Sequence, residues 1–125
     1  MKRLKNLIVY QKSKELVKNV YEILDTFPNT ERFALCDQIR RAVVSISSNI
    51  AEGMGRVTNK DQAHFLNIAF GSVMETYAQL DIAHDLGFIN DEIFNKLECD
   101  IEEVSKMISV MASLRTISPS SQKNN

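Results

Sequence analysis

The chain has 125 residues, 44% of them apolar and 25% charged, with no Trp and two cysteines. That length and apolar share are enough for one domain with its own core, and they exclude a disulfide-stapled miniature domain, because neither Cys36 nor Cys99 has a second sulfur or a His at ligand spacing. The formal net charge of −1 hides an asymmetry: residues 1–60 hold 11 Lys/Arg against 6 Asp/Glu, and residues 61–125 hold 4 against 10, so a basic half precedes an acidic one.

Lys2, Arg3 and Lys5 open the chain as a mobile basic arm. The apolar run at residues 7–10 is too short for a signal peptide or a membrane span, which points to a cytoplasmic protein with reduced cysteines. A first helix is expected over residues 9–26, with Leu16, Val20, Ile23 and Leu24 on its apolar side and Lys12, Lys14 and Lys18 among its polar positions. Phe27-Pro28-Asn29 ends it, since Pro cannot continue a helix and disfavours helical geometry before it. Asn29 or Thr30 then caps a second helix, with Glu31 in its first turn, where the macrodipole favours an acid. Leu35, Ile39, Ala42, Val43, Ile46 and Ile50 form its apolar stripe, and Gly53 and Gly55 stop it.

Thr58 or Asn59 caps a third helix, Asn59 and Gln62 reading as a capping box, and Gly87 supplies a left-handed stop after Leu86. Asn90-Asp91-Glu92 opens a fourth, whose stripe is Ile93, Leu97, Ile101, Val104, Ile108, Met111 and Leu114. Residues 116–125 form a polar tail with nothing to bury, expected to be disordered. Nothing reads as a strand. Short connections set neighbouring helices antiparallel, so the expected fold is all-α: an up-down-up-down antiparallel four-helix bundle over residues 1–115.

The second helix carries a further stripe beside its apolar one. Gln38, Arg41, Ser45, Ser48 (with Asn49) and Glu52 recur every three or four residues, whereas a plain solvated face fills with Lys and Glu, which are better helix formers. This surface reads as an oligomer interface. Folding the second and third helices back around Arg56 puts Arg41 level with Gly71, and Gln38 level with Met74 and Glu75. Gly71, in mid-helix, costs roughly 1 kcal/mol against Ala and suggests close approach by another helix or backbone. Ser72 and Glu75 continue the polar line, and Arg40 or Arg41 is expected to pair with Glu75, within a subunit or across a subunit boundary.

Several blocks together resemble a known family. They are Phe27-Pro28, QIRRA at residues 38–42, SxxSNIAEGxGR at residues 45–56 and IAFGSVMET at residues 68–76. The chain resembles the 23S ribosomal RNA intervening-sequence proteins, a bacterial four-helix-bundle family, from about residue 7 to residue 114. Ser47 stands where many members carry Pro, and Ala34 where Gly is frequent. The resemblance implies a homo-oligomer, a ring of five bundles being the expected assembly. It also implies an association with nucleic acid, because some members are encoded within ribosomal RNA gene insertions. A similar bundle serves as an accessory factor beside the reverse transcriptases of diversity-generating retroelements.

Arg56, Lys60, Arg40, Arg41, Lys12, Lys14 and Lys18 are the candidate phosphate contacts, which would bind salt-dependently and without sequence preference. Arg40 and Arg41 read better as interface residues paired to acids, and Arg56 and Lys60 as the free ones. The alternative is a protein–protein scaffold ring with no nucleic-acid contact. Catalysis finds little support. Gly53-Met54-Gly55-Arg56 follows a helix, whereas phosphate-cradling loops precede one and carry Lys-Ser/Thr. Asn49 and Glu52 have no partner base, and His64 is placed near Ser48 and Asn49. Asp61-x-x-His64 and Asp81-x-x-His84 lack the paired Glu-x-x-His motifs of a di-metal bundle. No metal, no cofactor and no enzyme activity are expected.

Overall fold

The computed structural model describes residues 1–116, and all its regular elements are helical. A short helix α1 (Lys2–Asn6) is followed by four long ones, α2 (Ile8–Leu24), α3 (Leu35–Met54), α4 (Asn59–Asp85) and α5 (Asp91–Thr116), which pack together. Most of the segment expected as a polar tail, residues 117–125, lies outside the described residues, and Thr116 belongs to α5. No helix among the described residues is long and apolar enough to cross a membrane.

The expected basic arm is helical. Lys2, Arg3 and Lys5 lie on α1, which breaks at Leu7, where ψ is 118°. The Gln11 side-chain amide donates to the Lys5 carbonyl at 2.6 Å and holds the break. The start of α3 also falls later than the sequence suggests. Asn29 and Thr30 open a single 3-10 turn, Asn29–Glu31, and the α-helix begins only at Leu35. Phe27 is buried, its ring centroid 5.5 Å from that of Phe88, and the chain must cross from that anchor before α3 can start.

Thr58 caps α4, its hydroxyl accepting from the Asp61 amide at 3.1 Å. The Asn59–Gln62 capping box does not form, because the Gln62 amide reaches back to the Arg56 carbonyl at 2.8 Å. Gly87 has φ +82°, the left-handed stop that the sequence required, and Asn90 accepts from the Ile93 amide at 2.8 Å to open α5.

The core follows the apolar stripes with small rotations. Leu16, Val20 and Leu24 of α2 meet Ile39, Val43, Ile46 and Ile50 of α3, with Leu66, Val73 and Leu80 of α4 and Leu97, Ile101, Val104 and Ile108 of α5. Burying a side chain of this size contributes about 1.5–3 kcal/mol. On α5 the stripe turns away from Ile93 and Leu114, which are exposed, onto Phe94 and Ala112. Phe94 wins because its ring stacks on His84, 4.4 Å away, and packs against Tyr77 at 5.9 Å.

Hydroxyl pairs mark how the helices lie beside one another. Ser13 meets Ser47 at 2.8 Å between α2 and α3, and Ser45 meets Ser72 at 2.8 Å between α3 and α4. A Cβ on Gly53 would stand 3.3 Å from both the Gln62 carbonyl and the Phe65 Cβ, so this glycine allows α3 and α4 to approach closely where they begin to diverge. These contacts correct the expected register. Residues 55–58 leave the helix on the α3 side before α4 begins, so the pivot falls beyond Arg56. Arg41 lies near the height of Thr76 rather than Gly71, and His64 lies level with Gly53 rather than beside Ser48.

Candidate nucleic-acid and assembly surfaces

Where α3 gives way to α4, four long polar side chains converge. The Arg56 guanidinium pairs with Glu52 at 2.9 Å and lies over the Phe65 ring, 4.5 Å from its centroid. Gln62, already bonded to the Arg56 carbonyl, accepts from Arg115 Nε at 2.8 Å, and Arg115 also donates to the Met111 carbonyl at 3.0 Å. Lys60 projects from the first turn of α4, and among the described residues it makes no ion pair. Leu7, at the end of basic α1, lines an apolar groove with Met107 and Met111. One end of the molecule thus collects Arg56, Lys60, Arg115 and the α1 cations. Arg115 was missed in the sequence because only the Gln62 contact, 53 positions away, brings it there.

Arg56 was expected to be free and is instead paired and stacked, though its side chain keeps 43% exposure, enough to reach a phosphate on one side. The other candidate cations are scattered. Lys12 bridges to Glu103 of α5 at 2.5 Å, and the hydrogen bond and charge of that carboxylate raise the Lys12 pKa. Lys14 stands over the Tyr10 ring at 4.9 Å, and Lys18 is exposed one turn further along. Arg40 pairs with Asp37 at 3.3 Å and covers Tyr21 at 5.7 Å. Arg41 is exposed, and among the described residues neither arginine pairs with Glu75.

The polar stripe of α3 divides in two. Ser45 bonds to Ser72, and the Asn49 amide donates to both the hydroxyl and the carbonyl of Ser45, at 2.9 and 2.8 Å, so these residues knit α3 to α4 inside one chain. Gln38, Arg41, Ser48 and Glu52 face outward, as do Gly71 and Glu75 on α4. Glu75 accepts from Gln79 at 3.2 Å, while the Gln79 side-chain oxygen is itself buried with no partner among the described residues.

At the opposite end, donor atoms of Asp81, His84 and Asp85 lie within 4.8 Å of one another. His84 Nε2 is engaged by Asp91 at 2.6 Å and its ring is stacked on Phe94, so it acts here as a tie between α4 and α5. Tyr77 ties the same helices together. Its hydroxyl donates to Glu98 at 2.5 Å, and that bond, with burial, pushes the phenol up to about 12.

Four long helices packed together, with polar outer seams and a basic end, define a helical-bundle protein. The model of the 23S rRNA-intervening sequence proteins matches residues 5–110, and the chain belongs to that family. A solved structure from Bacteroides thetaiotaomicron, described as a protein with unknown function from the S23 ribosomal protein family, superposes with a TM-score of 0.76 at 27% identity. The match covers 82% of this chain and 97% of that one. Comparison with curated proteins gave no match.

Proposed function

We propose that this chain is a non-enzymatic, homo-oligomeric bundle of the cytoplasm that accompanies nucleic acid, RNA ahead of DNA. It touches the phosphate backbone through its basic end. The observation that supports this reading is the collection of Arg56, Lys60 and Arg115 at the end of the bundle where α3 gives way to α4, Gln62 bonding the Arg56 carbonyl and the Arg115 side chain, with α1 adding Lys2, Arg3 and Lys5. Such a cluster supplies sequence-tolerant, salt-sensitive attraction. The family's name favours RNA. Within each subunit the four long helices run up-down-up-down and antiparallel, in keeping with the pairs Ser13–Ser47, Ser45–Ser72 and Tyr77–Glu98. Five subunits form a ring, following the family resemblance, and service beside a reverse transcriptase belongs to the same reading.

The test is fluorescence anisotropy of labelled structured RNA and duplex DNA, titrated with protein at low and near-physiological salt. Micromolar or tighter binding that falls steeply with salt is expected. An Arg56→Glu/Lys60→Glu variant should weaken it by roughly tenfold or more and flatten the salt slope. No binding to either polymer at low salt would discard this reading in favour of a protein scaffold ring. The specific observation behind that second reading is that Lys12, Arg40 and Arg56 are each already paired to a carboxylate, Glu103, Asp37 and Glu52.

A further inference from the structure

The surface that α4 turns away from the core is apolar and small. Ile68, Met74 and Ile82 are 39%, 51% and 50% exposed, with Gly71 and Ala78 between them on the same face. A Cβ built on Gly71 meets nothing within 4 Å in its own chain, so no packing inside the subunit calls for a glycine there. Elsewhere on the molecule α2 and α3 leave an open groove of about 610 Å³, its apolar lining supplied by Tyr10, Val17, Tyr21 and Val44 and its charged rim by Lys14 and Lys18, with Glu22 and Asp25 further along. Among the described residues Lys14, Lys18 and Glu75 make no ion pair.

Ridge and groove also agree in height. Ser13 is level with Ser47, and Ser45 with Ser72. Counting along the helices from these pairs puts Lys18 of α2 at the height of Glu75 of α4. Val17 then stands at the height of Met74, Tyr21 at that of Ala78, and Lys14 at that of Gly71. Copies rotated about an axis parallel to the bundle stay level with one another. Cation then meets carboxylate, and the bulky Tyr21 and Lys14 meet the two smallest ridge residues.

We infer that the α4 ridge of one copy seats in the α2–α3 groove of the next, with Lys18 against Glu75, as the repeating contact of the assembly. The inference rests on the ring reading above and specifies its contact. Because ridge and groove are different surfaces, the contact is head-to-tail: it does not stop at a two-fold dimer, and with the ring reading above supplying a rotation that closes, it repeats around the ring.

The test uses two variants at exposed positions, Met74→Glu on the ridge and Tyr21→Glu in the groove, with circular-dichroism melts to verify that each is folded. Light scattering and sedimentation at high micromolar concentration should find each variant monomeric. An equimolar mixture should give dimers of twice the 14.2 kDa chain and nothing larger, because one intact ridge and one intact groove remain per pair. If either variant assembles like the native chain, or the mixture stays monomeric, the contact is wrong even though the native mass still supports a ring. A monomeric native chain would sink the ring itself. Lys18→Glu and Glu75→Lys should each weaken assembly by roughly tenfold, and combining them in one chain should restore it. Failure to restore would overturn the register.

Discussion

Tyr77 shows how a single side chain can report on the joint between two helices. Its hydroxyl is held by Glu98, and its pKa rises from 10 to about 12. A folded-state pKa above the unfolded one means the stabilisation is complete below pH 10 and is lost as pH rises from 10 towards 12. Ultraviolet titration should show a tyrosine step at about 12, above the ordinary value, and Tyr77→Phe should remove that late step while costing about 1 kcal/mol in a urea melt. Ser45 and Ser72 offer a second case. Removing one hydroxyl strands the other at a buried seam, so Ser45→Ala should cost about 1–3 kcal/mol, and adding Ser72→Ala should cost much less than the same again. The sequence showed that Ser45 was an unusual choice for a solvated face. It could not show that the partner was internal, because that depends on a register set by the turn.

At the scale of helices, what the sequence announced best were the stops and starts with a local cause. Gly87 has its positive φ, and Thr58 and Asn90 accept the amide bonds expected of caps. The start of α3 was misread because its position depends on where Phe27 is anchored, a contact with Phe88 across the fold. The two glycines after Ala51 look alike in sequence and differ in space. A methyl on Gly53 would press on the Gln62 carbonyl, which belongs to a helix and cannot easily yield, whereas one on Gly55 would sit at an ordinary 3.5 Å from the Glu52 carbonyl. Gly53→Ala should therefore destabilise by about 1–3 kcal/mol in thermal or urea melts, and Gly55→Ala should leave the midpoint nearly unchanged.

For the whole molecule, the all-helical fold was legible because period and breakers agree along most of the chain. The basic end was only half legible: Arg56 and Lys60 are neighbours in sequence, but Arg115 and α1 join them through packing that no local pattern encodes. Gly71 belongs to this scale too. With open space at its Cβ, Gly71→Ala should stabilise an isolated subunit by roughly 1 kcal/mol, because it removes a helix-interior glycine. In the proposed ring the same methyl intrudes on a neighbour and should weaken assembly. A melt midpoint that rises with dilution-sensitive mass loss would separate the two effects, and a rise in both would remove Gly71 from the contact.

The gathering of Arg56, Lys60 and Arg115 at one end has a consequence that depends on chain length in the ligand. Cyclic symmetry would place every copy of that cluster on the same rim, facing the same way. In the reading proposed above, each cluster alone would hold phosphate weakly, and strength would come from avidity, with a tethered polyanion rebinding at the neighbouring copy before it escapes. Affinity should climb abruptly once an oligonucleotide is long enough to span two clusters, and it should be nearly blind to sequence on either side of that threshold.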